Sequence, residues 1–278
     1  MSKQKVLLID IHQPFAHYRD PKIIQDDYIP TLNLPPATTI AGMISYLIDR
    51  QLNTEFKIGV VGSYKNKVIE FIRGENRDFI GDYEKLLNKE KKRIKKNKLE
   101  QSLEYGEFYN YHKKRYGNRI MNFEILQNVD LKIFLSTENN DLVKSALEKP
   151  NKYLSLGRKE DFIIPKNKGE SFVKEVEIET KFIKSKKDAI KNEYLFKNTY
   201  IPVDIKSDKS RNIIDNGVLY ALPKTYKDLN AQKKDRVMKY EHYIYLDNTG
   251  AYIYDIEANI YQNQNKDGHI ENIVFTWL

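Results

Sequence analysis

Cysteine is absent from all 278 residues. That excludes disulfides, thiolate nucleophiles, zinc ribbons and iron–sulfur clusters together. No stretch approaches the roughly 18–20 consecutive apolar residues of a membrane span. Nor does a signal-peptide core follow Met1 to Lys5, which run straight into a strand-like segment. A soluble, cytoplasmic protein without a membrane partner is therefore expected. Walker, G-x-G-x-x-G, G-x-S-x-G and H-E-x-x-H motifs are missing too, so the nucleotide and hydrolase chemistries they support lack a basis. Histidine is sparse: His12, His17, His112, His242 and His269 are scattered, and two neighbours such as His12 and His17 do not make a metal site. Asp26-Asp27 and Glu160-Asp161 are adjacent pairs, whose side chains diverge in an extended chain. No metal or other cofactor is called for.

Hydrophobic residues make up 40% of the chain, enough to build a core rather than leave it disordered. The length suits two small domains, or one domain with large insertions. The net charge is +8, and it is localised. Between Lys85 and Arg119 lie 12 basic and 4 acidic residues, while the remaining 243 residues balance at 35 of each. A basic element on a neutral body is the footprint of a polyanion binder, although a solvated lysine-rich helix or loop would carry the same charge. The lysine run, Lys89 to Lys98, leads into Tyr105-Gly-Glu-Phe-Tyr-Asn-Tyr-His-Lys-Lys-Arg-Tyr-Gly117. Aromatics interleaved with cations suit single-stranded nucleic acid, where bases stack on rings and phosphates pair with cations.

Val6-Leu-Leu-Ile9 reads as a buried strand, followed by an irregular stretch from Gln13 to Pro36. Pro35-Pro36 opens a helix with Thr38 or Thr39 as N-cap, and Ile40, Met43, Ile44, Leu47 and Ile48 form its apolar face. Strands are expected at Phe56–Ser63 and Lys67–Ile72, then, beyond the basic insertion, at Arg119–Leu126 and Val129–Leu135. A second helix, Asp141–Lys149, turns Leu142, Val143, Ala146 and Leu147 inward, and a further strand is available near Phe162–Ile164. This order matches the split βαβ, ferredoxin-like plan. From about Ser171 the chain is strand-rich and tyrosine-rich, with strands expected at Val173–Ile183, Tyr200–Ile205, Val218–Leu222 and Val237–Leu246. Asp247-Asn-Thr-Gly250 should turn the last of these into a hairpin with Ala251–Tyr261, and Asn265-Lys-Asp-Gly268 should precede a final strand, Ile270–Trp277.

Three short segments carry the remaining polar signal. Phe15-Ala-His-Tyr-Arg-Asp20 closes the first strand; Leu34-Pro-Pro-Ala-Thr-Thr-Ile-Ala-Gly-Met43 leads into the first helix; Tyr153-Leu-Ser-Leu-Gly-Arg-Lys-Glu-Asp161 follows the second. Free backbone N–H groups and two hydroxyls at the first helix start could seat a phosphate, or simply begin a capped helix. Gly157 permits close backbone approach and Arg158 offers a planar fork, or the two belong to an ordinary surface turn.

Together and in this order, the three segments resemble the CRISPR-associated RAMP proteins, and among them the CRISPR-associated protein 5 family of type I interference complexes, closest to type I-B. The P-P-x-T-T-x-x-G-M and L-G-R-x-E-D patterns carry the resemblance, which covers roughly residues 1–165. It implies an α+β fold: a ferredoxin-like (RRM-like) RAMP domain over 1–165 with a basic thumb insertion at about 74–117, and a smaller β-rich domain over 166–278. It further implies a non-catalytic antiviral-defence subunit that caps the 5′ handle of the guide RNA in Cascade. Its partners would be the backbone subunit, the large subunit and, through the complex, target DNA. The residues expected to touch RNA are Tyr18, Arg19, Thr38, Thr39, Arg73, Tyr111, Lys113, Lys114, Arg115, Tyr116, Arg119, Gly157 and Arg158. Guide pairing supplies sequence choice in such complexes, so the protein needs to hold backbone and shape. A rival reading keeps the fold and changes the activity: a type I-C-like, metal-independent endoribonuclease acting on precursor RNA through Tyr46, His112 and Lys113.

Overall fold

Alternation sets the first strand. In β1 (Ser2–Ala16), Leu7, Ile9 and Ile11 enter one core cluster while Val6 and Leu8 enter another on the opposite side. The computed structural model describes residues 2–20, 22–23, 28–49, 56–75, 79–97, 104–165, 172–230, 235–264 and 270–278. Asp26-Asp27, Lys98, the 265–268 turn and His269 lie outside these residues.

After β1 come β2 (Tyr28–Ile29) and α1 (Ala37–Leu47). Pro36 is the N-cap of α1 with φ −68° and ψ 158°, and Ile40, Met43, Ile44 and Leu47 form the buried stripe expected of it. Asp49, in the left-handed region, follows the C-cap. Next are β3 (Lys57–Ser63), β4 (Asn66–Glu75), α2 (Phe79–Lys96), α3 (Tyr105–Tyr116) and β5 (Asn118–Ser136). Then follow α4 (Asn140–Glu148), β6 (Ile164–Pro165), β7 (Val173–Ile183), α5 (Lys186–Lys191), β8 (Thr199–Pro202) and α6 (Arg211–Ile214). The chain ends in β9 (Val218–Asn230), β10 (Asp235–Leu246), β11 (Ile256–Gln264) and β12 (Ile270–Phe275).

The fold is α+β, with one large, almost wholly antiparallel sheet in the order β12-β11-β7-β1-β5-β3-β8-β10-β9; β2 and β4 pair with β5, and β6 with β1. Helices α1 and α4 share a core with one face of its central strands, through Ile44 and Val143 against Ile9, Ile133 and Val60. On the other side β12 returns to β3. The Phe275 ring stacks on Phe134 at 4.1 Å between centroids, and the Leu278 amide donates to the Ile58 carbonyl at 2.9 Å. Gly59 makes this possible, since a Cβ there would lie 2.3 Å from the Phe275 ring.

The structure differs from the expected elements in several places. β1 runs on to Ala16, and the two strands expected after the basic segment are one, β5, passing through a left-handed Asn128. Leu142 of α4 is exposed, leaving Val143 and Leu147 as the buried pair. No hairpin joins β10 to the 251–261 segment. Asp247 does make the turn, accepting from the Thr249 amide at 2.9 Å, but both edges of β10 are occupied by β8 and β9, and β11 pairs with β7 and β12.

Two compact units divide the chain elsewhere than at 165/166. Unit 1 comprises residues 1–20, 31–68 and 125–278; unit 2 comprises 21–30 and 69–124. Strands from both sides of the expected boundary share unit 1, because Ser2–Ile9 of β1 lie opposite Val173–Thr180 of β7. The basic helices belong to unit 2.

Candidate nucleic-acid interface

In unit 1 the first and third motif segments meet at the end of β1. Gln13, the next residue in the inward series after Leu7, Ile9 and Ile11, is fully buried. Its Nε2 donates to the Leu156 and Asp161 carbonyls, both at 2.9 Å, and its Oε1 accepts from the Tyr18 hydroxyl at 2.6 Å. The buried Asp161 carboxylate accepts from the His17 amide at 2.9 Å and the Arg158 amide at 2.8 Å. The Arg158 guanidinium closes on the same carboxylate, Nη2 to Oδ1 at 2.8 Å. Thr31 Oγ1 accepts from the Tyr18 amide at 2.8 Å, and Tyr200 donates its hydroxyl to the Leu34 carbonyl at 3.1 Å. Each of these polar groups is taken out of water with a partner, which is what makes burying them tolerable. Burial, reinforced for Tyr18 by the Asp161 charge and for Tyr200 by Tyr220, lifts both hydroxyls well above the ordinary phenol range.

This arrangement changes the meaning of several expected contact residues. Tyr18 is a core side chain and offers no ring to a base. Arg158 was expected to present its fork outward; its side chain is only 16% exposed and the fork is turned onto Asp161, with Glu160 at 3.3 Å. Gly157 sits at φ 109°, and a Cβ would lie 2.6 Å from the His17 carbonyl oxygen and 2.8 Å from Asp161 Oδ2, so the approach it permits is to its own chain. Thr38 and Thr39 lie inside the first turn of α1 rather than at its N-cap. No side chain caps the helix, and the Thr38 hydroxyl faces the Pro223 carbonyl of β9 at 3.4 Å. Arg19 is exposed, as are Phe15 and Lys159 on the same segments.

Unit 2 holds the basic element as a helix pair. Phe79 and Tyr83 of α2 pack on Phe108 and Tyr109 of α3, with Tyr83 and Tyr109 edge-to-face at 5.0 Å. Packing these rings together leaves the cations outside. On α3, Tyr111 and Tyr116 are exposed, the Arg115 guanidinium lies 5.5 Å from the Tyr116 ring centroid, and Arg115 Nη1 donates to the Tyr111 hydroxyl at 2.9 Å. Lys113 stands over the Tyr109 ring at 5.9 Å, and Lys114 is exposed. Rings and fixed positive charge side by side can stack a base and hold its phosphate. On α2, Arg93 grips Glu90 at 2.7 Å and holds that carboxyl below its usual range. Arg73 lies on β4 and Arg119 on β5; their side chains fall outside the described residues.

Of the three residues in the nuclease reading, Tyr46 belongs to unit 1, and His112 and Lys113 to unit 2. Tyr46 is exposed beneath the Lys152 ammonium, 4.6 Å from its ring centroid, and Lys152 also donates to the Tyr46 carbonyl and pairs with Asp49. His112 is wedged among rings, 4.3 Å from Phe108 and stacked on Tyr116 at 5.7 Å. Among the described residues no group of three or more acidic or histidine side chains could hold a metal ion, and no helix is long and apolar enough to cross a membrane.

Sequence reasoning passed over Gln13, Thr31, Tyr200 and the buried role of Asp161. A signal existed for the first: a glutamine continuing the odd-numbered apolar series of β1 is a polar group aimed into the core.

No family model and no curated protein matches the sequence. Among solved structures, the chain is similar to one described as "CRISPR RNA-guided surveillance complex", at TM-score 0.48 and 11% identity over 86% of this chain and 88% of that one. It is similar to another described as "Cryo-EM structure of the Type III-B Cmr-beta bound to cognate target RNA and AMPPnP, state 1", at TM-score 0.33 and 14% identity over 87% and 84%. A third, "Crystal structure of Cas protein", covers 57% of this chain and 59% of its own, at TM-score 0.32 and 14% identity.

Proposed function

We propose that this chain is a non-catalytic, guide-RNA-binding subunit of a type I CRISPR interference complex, of the CRISPR-associated protein 5 family and nearest type I-B. It grips the 5′ handle and abuts the backbone and large subunits. One observation carries the reading: the F-A-H-Y-R and L-G-R-K-E-D segments, with His17 and Asp161 144 residues apart, interlock through Gln13 and Asp161, while Thr31, just before the L-P-P segment, accepts from the Tyr18 amide. Residues that resemble a family signature thus form one folded feature. The neighbouring antiparallel strands β7-β1-β5-β3, with α1 between β1 and β3 and α4 between β5 and β7, support the ferredoxin-like part of the reading. The α3 surface, with Tyr111, Lys114, Arg115 and Tyr116, supports single-stranded RNA as the ligand.

Binding without cutting is supported by His112, whose ring is engaged by Phe108 and Tyr116 rather than held toward solvent with a catalytic partner. The test is purification of the tagged chain from cells that also express its neighbouring genes, followed by sequencing of bound RNA. A guide population with one uniform 5′ handle is expected; absence of RNA, or RNA of random ends, refutes the reading. Incubation of the pure protein with precursor RNA in chelator should leave the RNA intact, and site-specific cutting that His112→Ala abolishes would replace this function with the nuclease.

A further inference from the structure

The outer face of α2 differs in kind from that of α3. Lys85, Lys89, Lys92 and Lys96 follow one another at steps of four, three and four residues. At about 100° per residue they fall within an arc of roughly 60°, and at about 1.5 Å per residue they span about 16 Å. The apolar side of the helix, with Phe79 and Tyr83 against α3, is the opposite one. All four lysines are exposed. Lys85 pairs with Asp82 at 3.3 Å; among the described residues Lys89, Lys92 and Lys96 have no acidic partner. Glu90, the nearest carboxylate in sequence, is turned away and held by Arg93.

Like charges at such spacing repel one another and disfavour the helix that carries them. A row of this kind is relieved by a ligand with regularly placed negative charge. We infer that the Lys85–Lys96 ladder is a docking surface for the phosphate backbone of duplex DNA, separate from the single-strand surface on α3. Three features select a duplex. Among the described residues the ladder has no ring within its arc, so unstacked bases gain nothing there, whereas single-strand binders pair a basic track with aromatic platforms. The lysines are held in a straight row by a helix of 18 residues, which matches a ligand whose phosphates are fixed in space, one per about 3.4 Å of axis on each strand. Moreover, lysine is a point charge that positions a backbone without reading bases. The choice of DNA rests on the proposed function, whose family resemblance makes target DNA a partner of the complex.

The test measures binding of the full chain to a 30-base-pair DNA of arbitrary sequence, by fluorescence anisotropy across a salt series. The same titration with single-stranded repeat RNA reads the proposed function independently. Lys89→Ala/Lys92→Ala/Lys96→Ala should weaken duplex binding at least tenfold and flatten the slope of log K against log salt by about 3, at roughly 0.9 per phosphate contact. RNA affinity should change less than threefold. Alanine favours helix, and a matching triple arginine variant should retain duplex binding, so loss of folding is separated from loss of charge. Failure of the wild type to bind duplex at low salt, an unchanged duplex slope in the alanine variant, or equal losses for duplex and RNA would each overturn the assignment.

Discussion

Asp161→Ala is the sharpest test of the idea that the L-G-R-K-E-D motif is first a structural device. The carboxylate has no exposed surface and accepts from three donors: the His17 and Arg158 amides and the Arg158 guanidinium. Truncation removes this acceptor from all three at once. Breaking a buried ion pair from one side costs about 3–5 kcal/mol, and the partial exposure of Arg158 lets water recover some of that, which favours about 3. Such a loss changes the unfolding equilibrium by roughly 150-fold and lowers Tm by at least about 6 °C, at 2 °C or more per kcal/mol in domains of this size. Arg158→Ala should cost less, because both backbone amides still reach the carboxylate. The double variant should lose less than the sum of the two, the mark of direct coupling. Thermal melts and urea titrations of the four proteins supply the cycle. If Asp161→Ala melts within 1 °C of wild type, the interlock contributes nothing and the motif is conventional surface.

Replacing Lys113, Lys114 and Arg115 with alanine should weaken single-stranded RNA binding and reduce its salt slope by about 2, at roughly 0.7 per contact; an unchanged slope in anisotropy titrations means these cations are merely solvated. Gly59→Ala places a Cβ against the Phe275 ring and should destabilise by about 1–3 kcal/mol through overpacking, read as an earlier urea midpoint with an unchanged m-value. Burial raises the Tyr18, Tyr200, Tyr243 and Tyr245 hydroxyls above 10. The folded state therefore keeps protons that the unfolded state releases, so the contribution of these rings to stability is fully present below about pH 10 and is lost as pH rises beyond it. Phenolate absorbance for these rings should appear only together with loss of circular dichroism; complete tyrosine titration in a still-folded protein would contradict their burial.

Local pattern was enough to place many elements and too little to pair them. Alternation located Val173–Ile183, and three-and-four spacing after two prolines located α1, because both signals lie within a dozen residues. The partners of β10 and β11 are decided by which sheet edges remain open after distant strands have paired, so a genuine turn at Asp247 suggested a hairpin that does not exist. The candidate site shows the same division. Its basic element was visible as charge and composition. Arg158 turns onto the Asp161 carboxylate, and Tyr18 is buried with its hydroxyl on Gln13, itself held by the Leu156 and Asp161 carbonyls more than 140 residues away; residue type alone made both look like surface contacts. The inward series of β1, Leu7, Ile9 and Ile11, continues in a polar residue, Gln13, which was the available clue.

The seating of Phe275 beside Gly59 and Phe134 bears on how the chain acquires its fold during synthesis. A sheet face formed by Val6, Leu8 and Phe134 is completed by residues more than 130 positions later. Contacts of such long sequence separation form slowly, since closure entropy is lost before they reward it. Until β12 leaves the ribosome, the nascent N-terminal strands expose an apolar surface of the kind that chaperones bind and that aggregates nucleate on. A chain stalled on the ribosome shortly before Ile270 should therefore have β1 and β5 paired yet still be protease-sensitive, and emergence of β12 should convert it in one cooperative step. For the subunit proposed above, which would assemble with RNA and other chains, emergence of β12 would then set the moment at which assembly can begin.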